Sequence, residues 1–300
     1  MTVEFDQMAE PALPTPKRET PARRFVRRLL SQPVAVASVV VLTLIFLVAV
    51  FAPVLAPEDP NATNLTATLL DPGEEGHLLG TDHLGRDVLS RLIFAGRVSL
   101  LAATQAVVVG ALIGIPPALV GGYIGGRLDW LFMRSADSLL AFPPLILAIT
   151  VIGILGPGLT NAMIAVGIIF APRFARMTRG AVLSVREETF VEAAKSMGLS
   201  QTRILWKHIL PHVLSPIIVT GTVLAGMAMI IEAGLSFIGL GVQVPQASWG
   251  SMLSTAYRFI AVAPTLILWP GIAVVITVLA TNLLGDAIRD ALGRERRPTS

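Results

Sequence analysis

A chain of 300 residues with 53% hydrophobic and only 14% charged side chains, and a mean hydropathy of +0.71, is far more apolar than soluble domains, which carry roughly 25% charged residues. The absence of cysteine excludes disulfides, thiolate nucleophiles and Cys-ligated metals, and a net charge of +3 is no argument for a nucleic-acid partner. The charges gather between long uncharged runs, several of which approach the ~20 residues that a helix needs to cross a bilayer. The expected fold class is all-α integral membrane, with about six transmembrane helices.

Residues 1–33 contain Lys17, Arg18, Arg23, Arg24, Arg27, Arg28 and several prolines, and are expected to be a disordered cytosolic tail. The run from Val34 to Pro57 is 24 uncharged residues long, too long for the apolar region of a signal peptide, so a first span is expected at 34–55. With the extracytoplasmic segment that follows, it makes a unit at 34–97. Further spans are expected at 98–122, 131–154, 159–178, 213–238 and 263–285, within a transmembrane unit at 98–288, followed by a cytosolic tail at 289–300. Gly156-Pro157-Gly158 is the turn that separates the third span from the fourth.

Placing both termini inside puts 19 of the 23 basic residues on the inner side, leaving only Arg86, Arg91, Arg97 and Arg258 outside. The stretch from Gly85 to Arg97 interleaves apolar residues with Arg86, Asp87, Ser90 and Arg91, a pattern suited to a helix on the membrane surface. In the second span Gly110 and Gly114 form a G-x-x-x-G that favours close helix packing, and Pro116-Pro117 is expected to bend or break the helix. Helix packing accounts for both features, and a pore hinge is the alternative; Pro143-Pro144 poses the same choice in the third span, where Asp137 is expected to pair with Arg134.

Between the fourth and fifth spans lies an inner segment at about 179–212. Ser184 and Glu187 have capping-box spacing, and Gly198 sits where a helix stops. A short amphipathic helix is therefore expected, with Phe190, Ala194 and Met197 on one face and Glu188, Glu192 and Lys195 on another. A second helix is expected from Gln201, ending at Pro211. Such a pair serves as a docking knob for a soluble partner or packs on the bilayer surface; the pattern allows both.

No G-x-x-x-x-G-K-[ST] loop, G-x-S-x-G or H-E-x-x-H is present, so this chain is expected to hold no cofactor and to catalyse nothing itself. His208 and His212 have i, i+4 spacing, but Pro211 and the lack of an acidic third ligand argue against metal. Glu232, about 19 residues into the fifth span, is the intramembrane carboxylate. It is expected either on a translocation path or paired with Arg258 or a neighbouring subunit.

Glu192-Ala193-Ala194, then Gly198, then Leu210-Pro211 resembles the EAA loop of ABC importer permeases, with His208 where that pattern has Ile. Leu79–Arg91 and Glu232–Gly241, followed by Trp249-Gly250, resemble the dipeptide, oligopeptide and nickel branch of that family. The resemblance covers roughly residues 33–290 and implies a type I importer permease in the bacterial inner membrane. It further implies that Glu192, Ala193, Ala194, Gly198, Leu210 and Pro211 couple the spans to cytosolic ATPases, the coupling loop spanning 184–212. The implied partners are those ATPases, which bind ATP and Mg, a homologous second permease, an extracytoplasmic substrate-binding protein and membrane lipid. Di- or oligopeptides are the implied cargo. Nickel or another small solute, and a gradient-driven secondary transporter, are the rival readings.

Overall fold

The computed structural model describes residues 21–293; the expected tails at 1–20 and 294–300 lie outside it. The described chain folds as helices: α1 (Pro21–Leu30), α2 (Pro33–Val50), α3 (Ala52–Leu55), α4 (Val88–Ile124), α5 (Gly126–Leu140), α6 (Pro144–Leu155), α7 (Leu159–Arg186), α8 (Thr189–Ser196), α9 (Gln201–Ile204), α10 (Leu210–Phe237), α11 (Trp249–Arg258) and α12 (Leu268–Gly293). Four of the helical stretches are long and apolar enough to cross a membrane, Pro33–Val50, Val88–Ile124, Gln201–Phe237 and Pro264–Leu292, and a fifth if the bent pair α5–α6 counts as one span. The expected fourth span is α7, whose length carries Arg173, Arg176 and Arg179.

Several boundaries differ from the sequence expectation for identifiable reasons. Part of the supposed tail is ordered as α1. The expected surface helix at 85–97 is instead the start of α4, because Asp87 caps it by accepting a hydrogen bond from the Ser90 N–H at 2.7 Å. That helix runs on unbroken through Pro116 and Pro117 to Ile124. The third span is broken: Pro143 is extended, Pro144 starts α6, and the two axes differ by 96°.

The α4–α7 contact is the main seam of the bundle. A Cβ at Gly110 would lie 2.8 Å from the Phe170 Cβ, and one at Gly114 would collide with the Ala171 carbonyl oxygen. From the other side Gly167 seats Val109. These glycines bring the two backbones together, and Ala102, Ala106, Phe170 and Phe174 fill the core around them. The packing reading of the G-x-x-x-G is the one that the structure bears out.

Charge pairs fix α5 against α7. Arg179 forks Asp129 at 2.6 and 2.7 Å, and Asp137 pairs with Arg176 at 2.7 Å rather than with Arg134. The Asp137–Arg176 pair is exposed and contributes little, on the order of 0–1 kcal/mol.

Replacing Gly114 with Val is expected to destabilise the chain by roughly 3 kcal/mol through overpacking. Gly153→Ala, in a helical position with open space around it, should be neutral or gain about 0.5–1 kcal/mol. Thermal unfolding of both variants in detergent checks this; equal midpoints for Gly114→Val and wild type would refute the seam.

Candidate coupling site

The α7–α10 connection forms one end of the bundle. The expected capping box does not start a helix, since Ser184 lies inside α7, which continues to Arg186. The short helix begins at Thr189 instead, with Glu188 extended before it. Its end is a Schellman arrangement: the Gly198 N–H donates to the Lys195 carbonyl at 2.9 Å and the Leu199 N–H to the Ala194 carbonyl at 3.2 Å. Gly198 has φ +74°, which a residue with a Cβ adopts only with strain, although open space surrounds it.

The buried face of α8 is Val191 and Ala194, at 0% and 1% exposure, not the expected Phe190, Ala194 and Met197. Both sink into an apolar pad made by Leu119 and Tyr123 of α4, Val182 and Val185 of α7, and Ile209 and Val213 around the start of α10. Two side contacts flank the pad. The Lys195 ammonium lies 6.0 Å from the Tyr123 ring centroid, and Phe190 stacks on His212 at 4.9 Å. Of the residues that the EAA resemblance singles out, Glu192, Ala193 and Gly198 are exposed while Ala194 faces the chain's own core. Met197, 72% exposed, stands beside them.

Pro211 does not end a helix. α9 passes through a π-helical turn, Leu205–Ile209, directly into α10, giving one helical stretch over Gln201–Phe237. Proline lacks an N–H, and the wider turn shifts the pairing ahead of it, so that the Leu210 N–H reaches the Leu205 carbonyl. The His208 carbonyl accepts from the His212 ring Nδ1 at 2.7 Å, which assigns that nitrogen its hydrogen. Leu210 is half-buried and Pro211 exposed at the head of α10. Sequence periodicity marked the segment but missed this continuity, because a proline ordinarily signals a stop.

At the opposite end, the two other family-like stretches meet. Glu232 of α10 is 1% exposed, and it meets hydroxyls rather than the expected Arg258. Its carboxylate accepts hydrogen bonds from the Ser236 and Ser248 hydroxyls, both at 2.7 Å. Ser248 caps α11, and next to it Trp249 donates its indole N–H to the Leu92 carbonyl at 3.1 Å. Gly96 of α4 admits the Trp249 ring, and Gly250 lies against Ala233. In the adjoining segment Arg86 binds Asp82 at 2.7 Å, Arg91 reaches the Pro60 carbonyl at 2.8 Å, and His83 stacks on Phe259 at 5.1 Å. Burial pushes the His83 imidazole below its ordinary value; Arg86, Arg91 and Arg258 reinforce that, and Asp82 opposes it.

A bundle of helices long and apolar enough to cross a bilayer defines a multi-pass membrane protein, and the comparisons with known proteins give the family. Residues 106–298 match the binding-protein-dependent transport system inner membrane component family, and residues 20–72 match the N-terminal transmembrane domain of oligopeptide transport permease C. The chain belongs to this family of ABC importer permeases. Among similar proteins, the dipeptide transport system permease protein DppC of Alkalihalophilus pseudofirmus is 40% identical, over 94% of each chain. The glutathione transport system permease protein GsiD of Pectobacterium atrosepticum is 43% identical, over 91% of each. The MetNI methionine ABC transporter, in an inward-facing form, shares the fold at a TM-score of 0.55 and 21% identity, covering 67% of this chain and 95% of that one.

Glu232→Ala is expected to lower stability by about 1–3 kcal/mol, since it leaves two buried hydroxyls without their acceptor, whereas Glu232→Gln keeps a carbonyl acceptor and loses less. Thermal unfolding ranks the two, and indistinguishable variants would sink the clasp. For His83, the neutral ring stabilises the fold above its unfolded pKa of about 6.5, and that contribution is lost as pH falls below it. Amide protection factors over residues 81–87, taken relative to the intrinsic exchange rate at each pH, should therefore fall on acidification more in wild type than in His83→Phe; an equal fall would show that His83 is not the sensor.

Proposed function

We propose that this chain is one of two permease subunits lining the translocation path of an ATP-driven importer for di- or oligopeptides or similar small solutes. The observation that carries this is α8: its inner face is buried in a pad built from the ends of α4, α7 and α10, while Glu192, Ala193, Met197 and Gly198 remain exposed. A soluble ATPase gripping that outer face moves three long helices together. Glu192 offers it a carboxylate, Ala193 permits close approach, and Ala194 seats the helix on its own chain. Leu210 and Pro211 then act at the head of α10 rather than at the partner surface.

ATP and Mg belong to the cytosolic partners in this reading, and an extracytoplasmic binding protein delivers the cargo. The dipeptide and glutathione systems of the two similar permeases support peptide-like substrates. Both termini lie at the cytoplasmic face of the inner membrane, in keeping with 19 of 23 basic residues falling on that side. The cycle is alternating access: closure of the ATPases displaces α8, and the spans reopen on the other side. Glu232 serves as a brace at the outer end rather than as a substrate contact.

Affinity purification of the detergent-solubilised chain from its native membrane checks this. Wild type and Gly198→Asn, which tolerates a positive φ, should bring down an ATPase and a second permease, while Gly198→Val should lose most of the ATPase. A chain that purifies alone and supports vanadate-insensitive uptake in vesicles would favour a gradient-driven carrier instead.

A further inference from the structure

Four of the 23 basic residues, Arg23, Arg24, Arg27 and Arg28, fall within the ten residues of α1. At helical spacing the pairs Arg23/Arg27 and Arg24/Arg28 share one face, and Phe25, Val26, Leu29 and Leu30 share the opposite one. The protein uses only part of that apolar face. α1 packs against α2 and α12 and half-buries Phe25 and Leu29, but Val26 stays 50% and Leu30 59% exposed. Arg23, Arg24 and Arg27 are exposed on the other side.

The helix also stands in a particular place. It closes with bonds from the Ser31 N–H to the Arg27 carbonyl and from the Gln32 N–H to the Leu29 carbonyl, and Gln32 is extended, so α1 leaves the line of α2 just before Pro33. Because α2 is a span, α1 ends within about 10 Å of the bilayer edge at ~3.3 Å per extended residue. A helix so placed, apolar on one side and cationic on the other, fits the boundary between headgroups and acyl chains.

We propose that α1 is an interfacial helix that binds anionic phospholipid headgroups, its apolar residues dipping into the leaflet and its guanidiniums forking lipid phosphates. Zwitterionic headgroups offer the same phosphate with a compensating cation, so the arginine face selects lipids of net negative charge. Through its packing on α2 and α12, the seated helix sets where the first and last spans enter the membrane. Only the choice of leaflet rests on the orientation given under the proposed function.

The test uses the full-length chain in nanodiscs of phosphatidylcholine with graded phosphatidylglycerol, reading retained lipid by native mass spectrometry. Wild type should enrich phosphatidylglycerol. Arg23→Gln/Arg27→Gln, which alters only exposed residues, should weaken that preference roughly thirtyfold, about fivefold per arginine, and Val26→Ser/Leu30→Ser should weaken retention of the same lipid. Equal retention of the two lipids by wild type, or unchanged preference in the arginine variant, overturns the proposal. Full displacement by inorganic phosphate at matched ionic strength also overturns it, showing a free-phosphate site. Both leaflets of the nanodisc carry the anionic lipid, so this readout does not depend on sidedness. Protease access to the amino terminus in inverted vesicles tests the orientation separately.

Discussion

The close approach of α4 to α7 is the constraint on which the remaining structure depends. Where Gly110, Gly114 and Gly167 remove side chains from the seam, two long backbones touch. In a bilayer little hydrophobic force drives helices together, and this kind of contact supplies dispersion in its place. Both functional ends hang from the seam. The start of α4 holds Leu92, Gly96 and Ser99 for the knot around Trp249, and its far end supplies Leu119 and Tyr123 to the pad beneath α8. A shift of α4 along α7 would therefore be felt at both ends at once.

Much of this was legible in the sequence. Uncharged run length located four of the membrane helices, the Gly110–Gly114 spacing located the seam, and the capping and EAA patterns marked the segment that holds α8. What escaped had a common cause: proline and charge mean something different once a neighbour supplies the missing partner. Pro116, Pro117 and Pro211 all read as breaks and all lie in continuous helix. Arg86 and Arg91 read as the polar side of a surface helix but are each 6% exposed, because Asp82 and the Pro60 carbonyl receive them. The partner of Asp137 was misassigned because the nearest cation in sequence is not the nearest across the α5–α7 crossing.

The two ends differ in their chemistry. The end that carries α8 is an apolar pad with open polar residues on its outer side, which suits the gripped surface of the proposed role. The far end is a polar knot, where a carboxylate is held by two hydroxyls and an indole N–H by a carbonyl. Directional bonds of this kind favour one arrangement over near alternatives, as a fixed anchor requires. In the proposed role the chain thus combines a handle at one end with an anchor at the other.

The helical stretch from Gln201 to Phe237 joins them. At ~1.5 Å per residue it is on the order of 55 Å long, with its single wide turn near the handle. Under the proposed coupling, force enters this rod close to its wide turn. In the proposed cycle, a tilt of the short arm before the π-helical turn is taken up at that turn, while Glu232, bound by the Ser236 and Ser248 hydroxyls, holds the far end in place.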